Sequence, residues 1–227
     1  FFVSEQNKKI IAGLHRKDLT NIKFASALLD MAIEEKKDDL NFALQQAKEV
    51  QQIAAKESRK KNSIEFATLY WKATLMLAPY FFEDFLYYME KDRAPDKRFY
   101  MPRRRTLKVV VDDLQDLEDG KLDFYGLSMP PRVGKSTICI FFMAWVMGKR
   151  PNSHNAMSGH SGLLADGFYS EALNLMELDV PEEKRQYHFL DIFPQTFLQK
   201  KSAEKKEITL NDPDRFATLT CRGIDGT

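Results

Sequence analysis

The first part of the chain has apolar residues at helical spacing. They recur three and four positions apart in residues 28–33 and again in residues 40–47, which predicts amphipathic helices. Residues 63–91 continue the pattern with many aromatic side chains, and Pro79 is expected to split this second block because proline breaks the helical hydrogen-bond ladder. We therefore predict an α-helical N-terminal region over residues 1–91.

From residue 92 onward the pattern alternates between helix and strand. Residues 92–105 contain two prolines and are expected to form a loop, after which an apolar helical stripe predicts a helix that ends at Gly120. The elements predicted next are a strand at 123–129, a helix at 135–147, a strand at 155–161, a helix at 162–178, and strands at 206–211 and 215–221 joined by a turn at 211–214. This alternation favours an α/β domain over residues 92–227, with a mainly parallel β-sheet flanked by helices.

Composition narrows the class of protein only slightly. The 227 residues are 44% hydrophobic and 30% charged with a net charge of +1, as in an ordinary globular protein. Near-neutrality does not exclude DNA binding by a local basic surface. The longest apolar run, residues 138–147, is far shorter than the ~20 residues that span a bilayer, so no membrane partner is expected. The two cysteines, Cys139 and Cys221, are expected to be buried free thiols.

The segment "SMPPRVGKST" at residues 128–137 carries the candidate chemistry. A phosphate-binding loop requires Gly, four residues, and then Gly-Lys-Ser/Thr. Gly134, Lys135 and Ser136 fit this pattern, but Met129 stands where the first glycine belongs. Because the tripeptide follows a predicted strand and opens a predicted helix, we predict a P-loop NTPase fold in which the two prolines before Arg132 shape the loop.

The chemistry of such a loop assigns roles to its residues. Backbone N–H groups at the helix N-terminus face the phosphates, Lys135 reaches the β- and γ-phosphates, and the Ser136 hydroxyl holds Mg²⁺. ATP and Mg²⁺ are therefore the expected ligands. The candidate nucleotide-binding residues are Pro131, Arg132, Val133, Gly134, Lys135, Ser136 and Thr137.

Arg132 and Lys135 are the candidate catalytic residues. A guanidinium inside the loop can stabilise the charge that develops on the transferred γ-phosphoryl group, as an arginine finger does. It can equally make a ground-state phosphate contact or a salt bridge, and the residues alone leave these roles open.

Taken together, "LSMPPRVGKST", the apolar helix after it and "SGHSGLLADGFYSE" resemble the large terminase subunit of tailed bacteriophages. That family has a deviant loop of the form Pro-Pro-Arg-x-Gly-Lys-Ser/Thr, and a Ser-rich turn that leads into a Leu-Ala helix, matched here by residues 158–165. "DIFPQTF" and the terminal "TCRGIDGT" are also similar to the family. The resemblance covers about residues 98–227 and places the family's adenine-binding segment near residues 99–103.

The resemblance implies an ATPase that drives double-stranded DNA into a viral procapsid through the portal. It implies the portal protein, the small terminase subunit and further copies of the chain in a homo-oligomeric ring as partners. The expected location is the host cytoplasm, transiently at the procapsid portal.

The sequence departs from the family after the loop. No apolar run that ends in paired acidic residues follows it, and Asp112-Asp113 precede it in a predicted helix. We therefore expect an ATPase portion truncated before the Walker B strand, without the nuclease domain, that binds nucleotide but turns it over weakly. Two alternatives stay open: another P-loop NTPase such as a helicase or kinase, and a helical partner-binding module with a vestigial loop.

Overall fold

The computed structural model describes residues 18–211 and 215–224. By its internal contacts the chain divides into two compact units, Phe1–Tyr80 and Phe81–Thr227. Residues 81–91 thus group with the second unit. The division into domains at residues 91 and 92 stays a prediction. No helix in the described ranges is long and apolar enough to cross a membrane.

The described part of the first unit is helical, as predicted. Its helices are α1 (Ile22–Glu35), α2 (Leu40–Lys61) and α3 (Ile64–Leu77). Each begins at a polar side chain that accepts a backbone N–H of the first turn, namely Asn21, Asp39 and Ser63, which satisfies one of the otherwise unpaired donors there. Helix α2 packs against both α1 and α3. The predicted helix in residues 1–17 lies outside the described residues.

The second unit begins with helices that surround an aromatic core. They are α4 (Phe82–Met89), α5 (Tyr100–Glu118), α6 (Lys135–Lys149), α7 (Gly162–Met176) and the short α8 (Phe189–Ile192). Phe82 and Trp145 are fully buried, and their ring centroids lie 5.3 Å apart, so that α4 and α6 meet through aromatic side chains. The break between α3 and α4 falls at Pro79, as predicted.

Helix α5 begins earlier than predicted. Residues 100–105 were expected in a loop because of Pro102, but the helix starts at Tyr100. Proline is compatible with a first helical turn, where its missing N–H group is not needed. The helix ends just before Gly120, which has a φ of 71°, in agreement with the predicted stop.

The sheet of the second unit has four strands in the order β1-β4-β3-β2. They are β1 (Asn155–Gly159), β2 (Leu198–Ser202), β3 (Glu207–Leu210) and β4 (Leu219–Gly223). Strand β1 pairs with β4 in parallel, whereas β3 runs antiparallel to both β4 and β2. The predicted P-loop fold with a mainly parallel sheet is therefore wrong: the protein is α/β, but in its described residues the sheet is small and mixed.

Two local features account for this difference. Residues 123–129, predicted to be a strand, have no regular secondary structure, so the segment before the loop pairs with none of the described strands. Strand β2 was not predicted, because its centre is the exposed polar sequence Gln199-Lys200-Lys201, which looks like a solvated loop. The hairpin of β2 and β3 supplies the antiparallel half of the sheet. Helix α7 packs on β1 and β4.

Candidate phosphate-binding site

The loop that opens α6 has two residues in the left-handed backbone region. Gly134, the residue before the helix, has a φ of 97°, and Arg132 has a φ of 64°. Glycine adopts such left-handed angles without steric penalty, which explains the residue type at position 134. Arg132 carries a side chain in the same region, at a cost of about 1–2 kcal/mol. The loop therefore holds a strained conformation at its centre.

A cavity of about 350 Å³ lies directly over this loop. Six of the seven predicted nucleotide-binding residues line it, namely Pro131, Arg132, Gly134, Lys135, Ser136 and Thr137. The seventh, Val133, is half-buried and is not one of the lining residues. Phe99 and Arg103, at the start of α5, complete the lining. The structure thus brings the residues of the motif together around one cavity.

The Lys135 side chain crosses the loop. Its Nζ donates hydrogen bonds to the backbone oxygens of Met129 and Pro130, the latter at 3.3 Å. Both acceptors are neutral carbonyls, and no carboxylate of the described residues forms an ion pair with this ammonium group. Phosphate oxygens entering the cavity would therefore meet a cation that is already oriented.

The N-terminus of α6 adds to this positive field. The residue that precedes the helix makes no side-chain cap hydrogen bond, whereas α7 is capped by Ser161. The first N–H groups of a helix have no intrahelical partner and carry the positive end of the helix dipole. With Lys135 and Ser136 on the same turn, they form an arrangement suited to a phosphate group.

Phe99 forms the apolar wall of the cavity. Its ring stacks on Phe141 of α6, with centroids 5.5 Å apart and planes 10° apart. The Arg103 guanidinium lies 5.3 Å from the centre of the Phe99 ring and donates a hydrogen bond to the Phe99 backbone oxygen. The two residues lie in the segment that the family resemblance pointed to, and they present an aromatic surface and a cation to the same space.

No sequence pattern indicated Glu90, which binds the backbone of Phe99, the residue of the apolar wall. The side chain is 3% exposed, and its oxygens accept hydrogen bonds from the backbone N–H groups of Phe99 and Tyr100. A single glutamate at the end of an aromatic helix has no sequence signature. Only the approach of α4 to the start of α5 reveals its role.

The acidic pair that precedes the loop does not reach the cavity. Asp112 pairs with Lys108 along α5, and Asp113 accepts a hydrogen bond from the Tyr125 hydroxyl. Burial, together with that bond, raises the pKa of Tyr125 to about 12. Neither aspartate is one of the residues that line the cavity.

Metal ligands are scarce near the loop. The described residues hold no cluster of three or more His, Cys, Asp or Glu side chains that could bind a metal ion, and Ser136 is exposed on the first turn of α6. His154 contacts the Phe216 ring and the Ala217 backbone oxygen. The assignment of Mg²⁺ to Ser136 therefore stays a prediction.

The chemistry of the lining suits an anion. It offers an ammonium, two guanidinium groups, hydroxyl groups and helix N–H donors, and none of the described lining residues is acidic. Comparison with protein-family models, with curated proteins and with solved structures finds no match to this chain. Evidence for function therefore comes from the residues of this site and from the sequence resemblance.

Proposed function

We propose that the second unit binds ATP and is the ATPase portion of a viral DNA-packaging motor of the large-terminase type. The observation that carries the nucleotide-binding part is the position of Lys135, whose ammonium lies between loop carbonyls at the uncapped start of α6. The packaging part rests on the resemblance of residues 128–137 and 158–165 to that family.

The residues of the cavity divide the work of holding a triphosphate. Lys135 neutralises the β- and γ-phosphates, and the N–H groups of the α6 first turn bind their oxygens. Ser136 contributes its hydroxyl to a Mg²⁺ ion bound with the nucleotide, and the ion offsets phosphate charge. Arg132 lies at the rim, where a guanidinium can contact the terminal phosphate.

The partners and location follow from the same proposal. The motor would act on double-stranded DNA, assemble as a homo-oligomeric ring and bind the portal protein and the small terminase subunit. It would work in the host cytoplasm while docked at the procapsid portal.

Nucleotide binding is tested by replacing Lys135 with alanine and titrating Mg·ATP by calorimetry. Loss of a charge-assisted hydrogen bond costs about 1.5–3 kcal/mol, so affinity should fall about 10- to 100-fold. Lys200→Ala is the matched control, because Lys200 is an exposed lysine of the same unit on β2, and it should bind ATP as the unmodified protein does. Equal affinities for the Lys135 and Lys200 variants, or no binding by the unmodified protein, would refute the proposal.

The motor function needs a separate test, because a helicase or a kinase also binds ATP. The full-length protein that contains this ATPase portion, assembled with procapsids and portal, is supplied with ATP and DNA, and the DNA is then exposed to nuclease. A packaging motor protects the DNA in an ATP- and Lys135-dependent manner. DNA that stays fully digested under these conditions while ATP is consumed would favour the helicase, and turnover that DNA does not stimulate would favour the kinase.

A further inference from the structure

Glu90 is a buried carboxylate at the junction of α4 and α5. It is 3% exposed and directly follows the last residue of α4. Its two oxygens lie 2.8 and 2.9 Å from the Phe99 backbone nitrogen, and one of them lies 3.0 Å from that of Tyr100. An acidic group is rarely buried to this extent unless its hydrogen-bonding capacity is used, and here the N–H groups that start α5 use it.

These bonds fix the backbone at the start of α5. The first N–H groups of a helix lack intrahelical partners. A carboxylate that accepts hydrogen bonds from two of them anchors the helix end and interacts favourably with the positive end of the helix dipole. Phe99 is the residue that carries one of the two N–H groups. The direction in which its ring leaves the backbone is therefore set by Glu90.

The Phe99 ring in turn bears on the loop. A methyl group placed on Gly134 would lie 2.6 and 3.0 Å from two carbons of the ring, so the ring occupies the space directly against the loop glycine. On its other side the ring stacks on Phe141, which is fully packed in α6. The ring is thus wedged between the loop and the helix that the loop opens.

We propose that Glu90 is a positioning residue for the phosphate-binding loop: through Phe99 it holds Gly134 and its neighbours in the anion-binding conformation. Residues 129–134 lack the first glycine of the usual motif, and the loop holds left-handed angles at both Arg132 and Gly134. A loop of this kind needs an external support, which the Glu90–Phe99 contact supplies. The ligand part of the inference rests on the proposed nucleotide binding.

The test replaces Glu90 with glutamine and compares it with Glu177→Gln. Glu177 is a matched control because it too accepts two backbone N–H groups, those of Gln186 and Tyr187, at 2.7 and 2.8 Å, yet it is not one of the residues that line the cavity. Both changes neutralise a side chain that accepts two backbone N–H groups. At Glu90, where both oxygens are used, the new amide also turns an NH₂ donor toward a backbone N–H group. The readout is the affinity for Mg·ATP and for inorganic pyrophosphate, measured by calorimetry on protein verified as folded.

We expect Glu90→Gln to lower the affinity for both ligands by about 10-fold. Glu177→Gln should leave both affinities within about 2-fold of those of the unmodified protein. An equal loss of affinity in the two variants would mean that neutralising any glutamate of this kind weakens ligand binding. That result would overturn the proposal. Should Glu90→Gln fail to fold, Glu90→Asp replaces it, since it keeps the charge and withdraws the carboxylate by about 1.5 Å.

A double-mutant cycle separates positioning from general stability. Phe99→Leu removes the ring that presses on Gly134, so adding the Glu90 change to it should cost little further affinity if Glu90 acts through Phe99. Fully additive losses in the double variant would show that Glu90 does not act through the ring.

Amide hydrogen exchange of residues 132–137 gives a readout that needs no ligand. Loss of the Glu90 anchor should speed exchange in this segment about 10-fold or more, while Glu177→Gln leaves it unchanged. If the unmodified protein binds neither ATP nor pyrophosphate, the proposed function fails, but accelerated loop exchange still supports the positioning role. Unchanged exchange in the Glu90 variant overturns it.

Discussion

At the scale of single residues, position 134 imposes two requirements, and glycine is the residue type that meets both. Its φ of 97° lies in the left-handed region, and the Phe99 ring fills the space where a Cβ atom would lie. Alanine there combines backbone strain with a steric clash. We expect Gly134→Ala to lower the free energy of unfolding by about 1–3 kcal/mol, as measured by urea denaturation.

Gly167→Ala is the control for this prediction. Gly167 lies inside α7, and a Cβ atom there would meet no atom within 4 Å. Alanine is the better helix former, so this change should raise stability by about 0.5–1 kcal/mol. Opposite signs for the two substitutions are the expected result, and a neutral Gly134→Ala would show that the loop relaxes freely.

The residues of the site differ in how far sequence could identify them. Gly134, Lys135 and Ser136 form a local motif whose chemistry depends on spacing alone, and the structure places them around one cavity. Glu90 acts on Phe99 across a chain turn, through backbone N–H groups. Contacts of that kind depend on how α4 approaches α5, which no periodicity records.

At the scale of elements, an ion pair ties the C-terminal ends of α5 and α6 together. Glu118, with a side chain only 6% exposed, lies 2.8 Å from Lys149 and 2.5 Å from Arg150. Burial acts to raise the pKa of Glu118, but the hydrogen bonds and charges of Arg150 and Lys149 outweigh it, and the net pKa is lowered. The pair therefore stabilises the fold when the glutamate is ionised.

The pH dependence of this link is a second prediction. Since the pKa of Glu118 is lowered on folding, its contribution is fully present above the unfolded value near 4.5 and is lost as the pH falls through the lowered one. At pH 7 we expect Glu118→Gln to destabilise the protein by about 1–3 kcal/mol. The difference in unfolding free energy should shrink as the pH falls below about 4.5, where the unfolded glutamate becomes neutral, and vanish below the lowered pKa, where the native glutamate is neutral too.

Asp116→Asn supplies the comparison for that measurement. Asp116 pairs with Lys121 near the same end of α5, but both side chains are well exposed, at 44% and 62%. A pair in water is worth little, so this variant should stay within about 0.5 kcal/mol of the unmodified protein at every pH. A Glu118 effect of the same small size, or one that persists undiminished at low pH, would contradict the prediction.

Helices and sheet differed in predictability for a physical reason. A helix is specified by contacts three and four residues apart, so its apolar stripe is visible in the sequence, as in α5 and α7. A strand is specified by its partner, and β2 is an edge strand whose exposed lysines carry no apolar alternation. Residues 123–129 have the composition of a strand but pair with none of the described strands. The mixed sheet results from which strands pair and in which direction, and a hydrophobic pattern along the sequence does not show either.

At the scale of the whole molecule, the candidate phosphate-binding site of the second unit has cations in its lining but no base there among the described residues. The described residues that line the cavity carry cationic, hydroxyl, aromatic and aliphatic groups, and none of them is a carboxylate. Asp112 and Asp113 are engaged by Lys108 and Tyr125. Such a site favours binding over hydrolysis, because holding the phosphates and activating the attacking water are separate tasks.

The final prediction is that the protein binds Mg·ATP but hydrolyses it slowly. A positioned general base contributes roughly 10²- to 10⁴-fold to a rate, and typical enzymes turn over about 10 times per second. Without that base we expect fewer than about 0.1 turnovers per second, measured as phosphate release at saturating Mg·ATP. Lys135→Ala should reduce binding while the slow rate falls to background. Lys135-dependent turnover above about 1 per second would mean that a carboxylate reaches the γ-phosphate after all, and the separation of binding from hydrolysis would have to be abandoned.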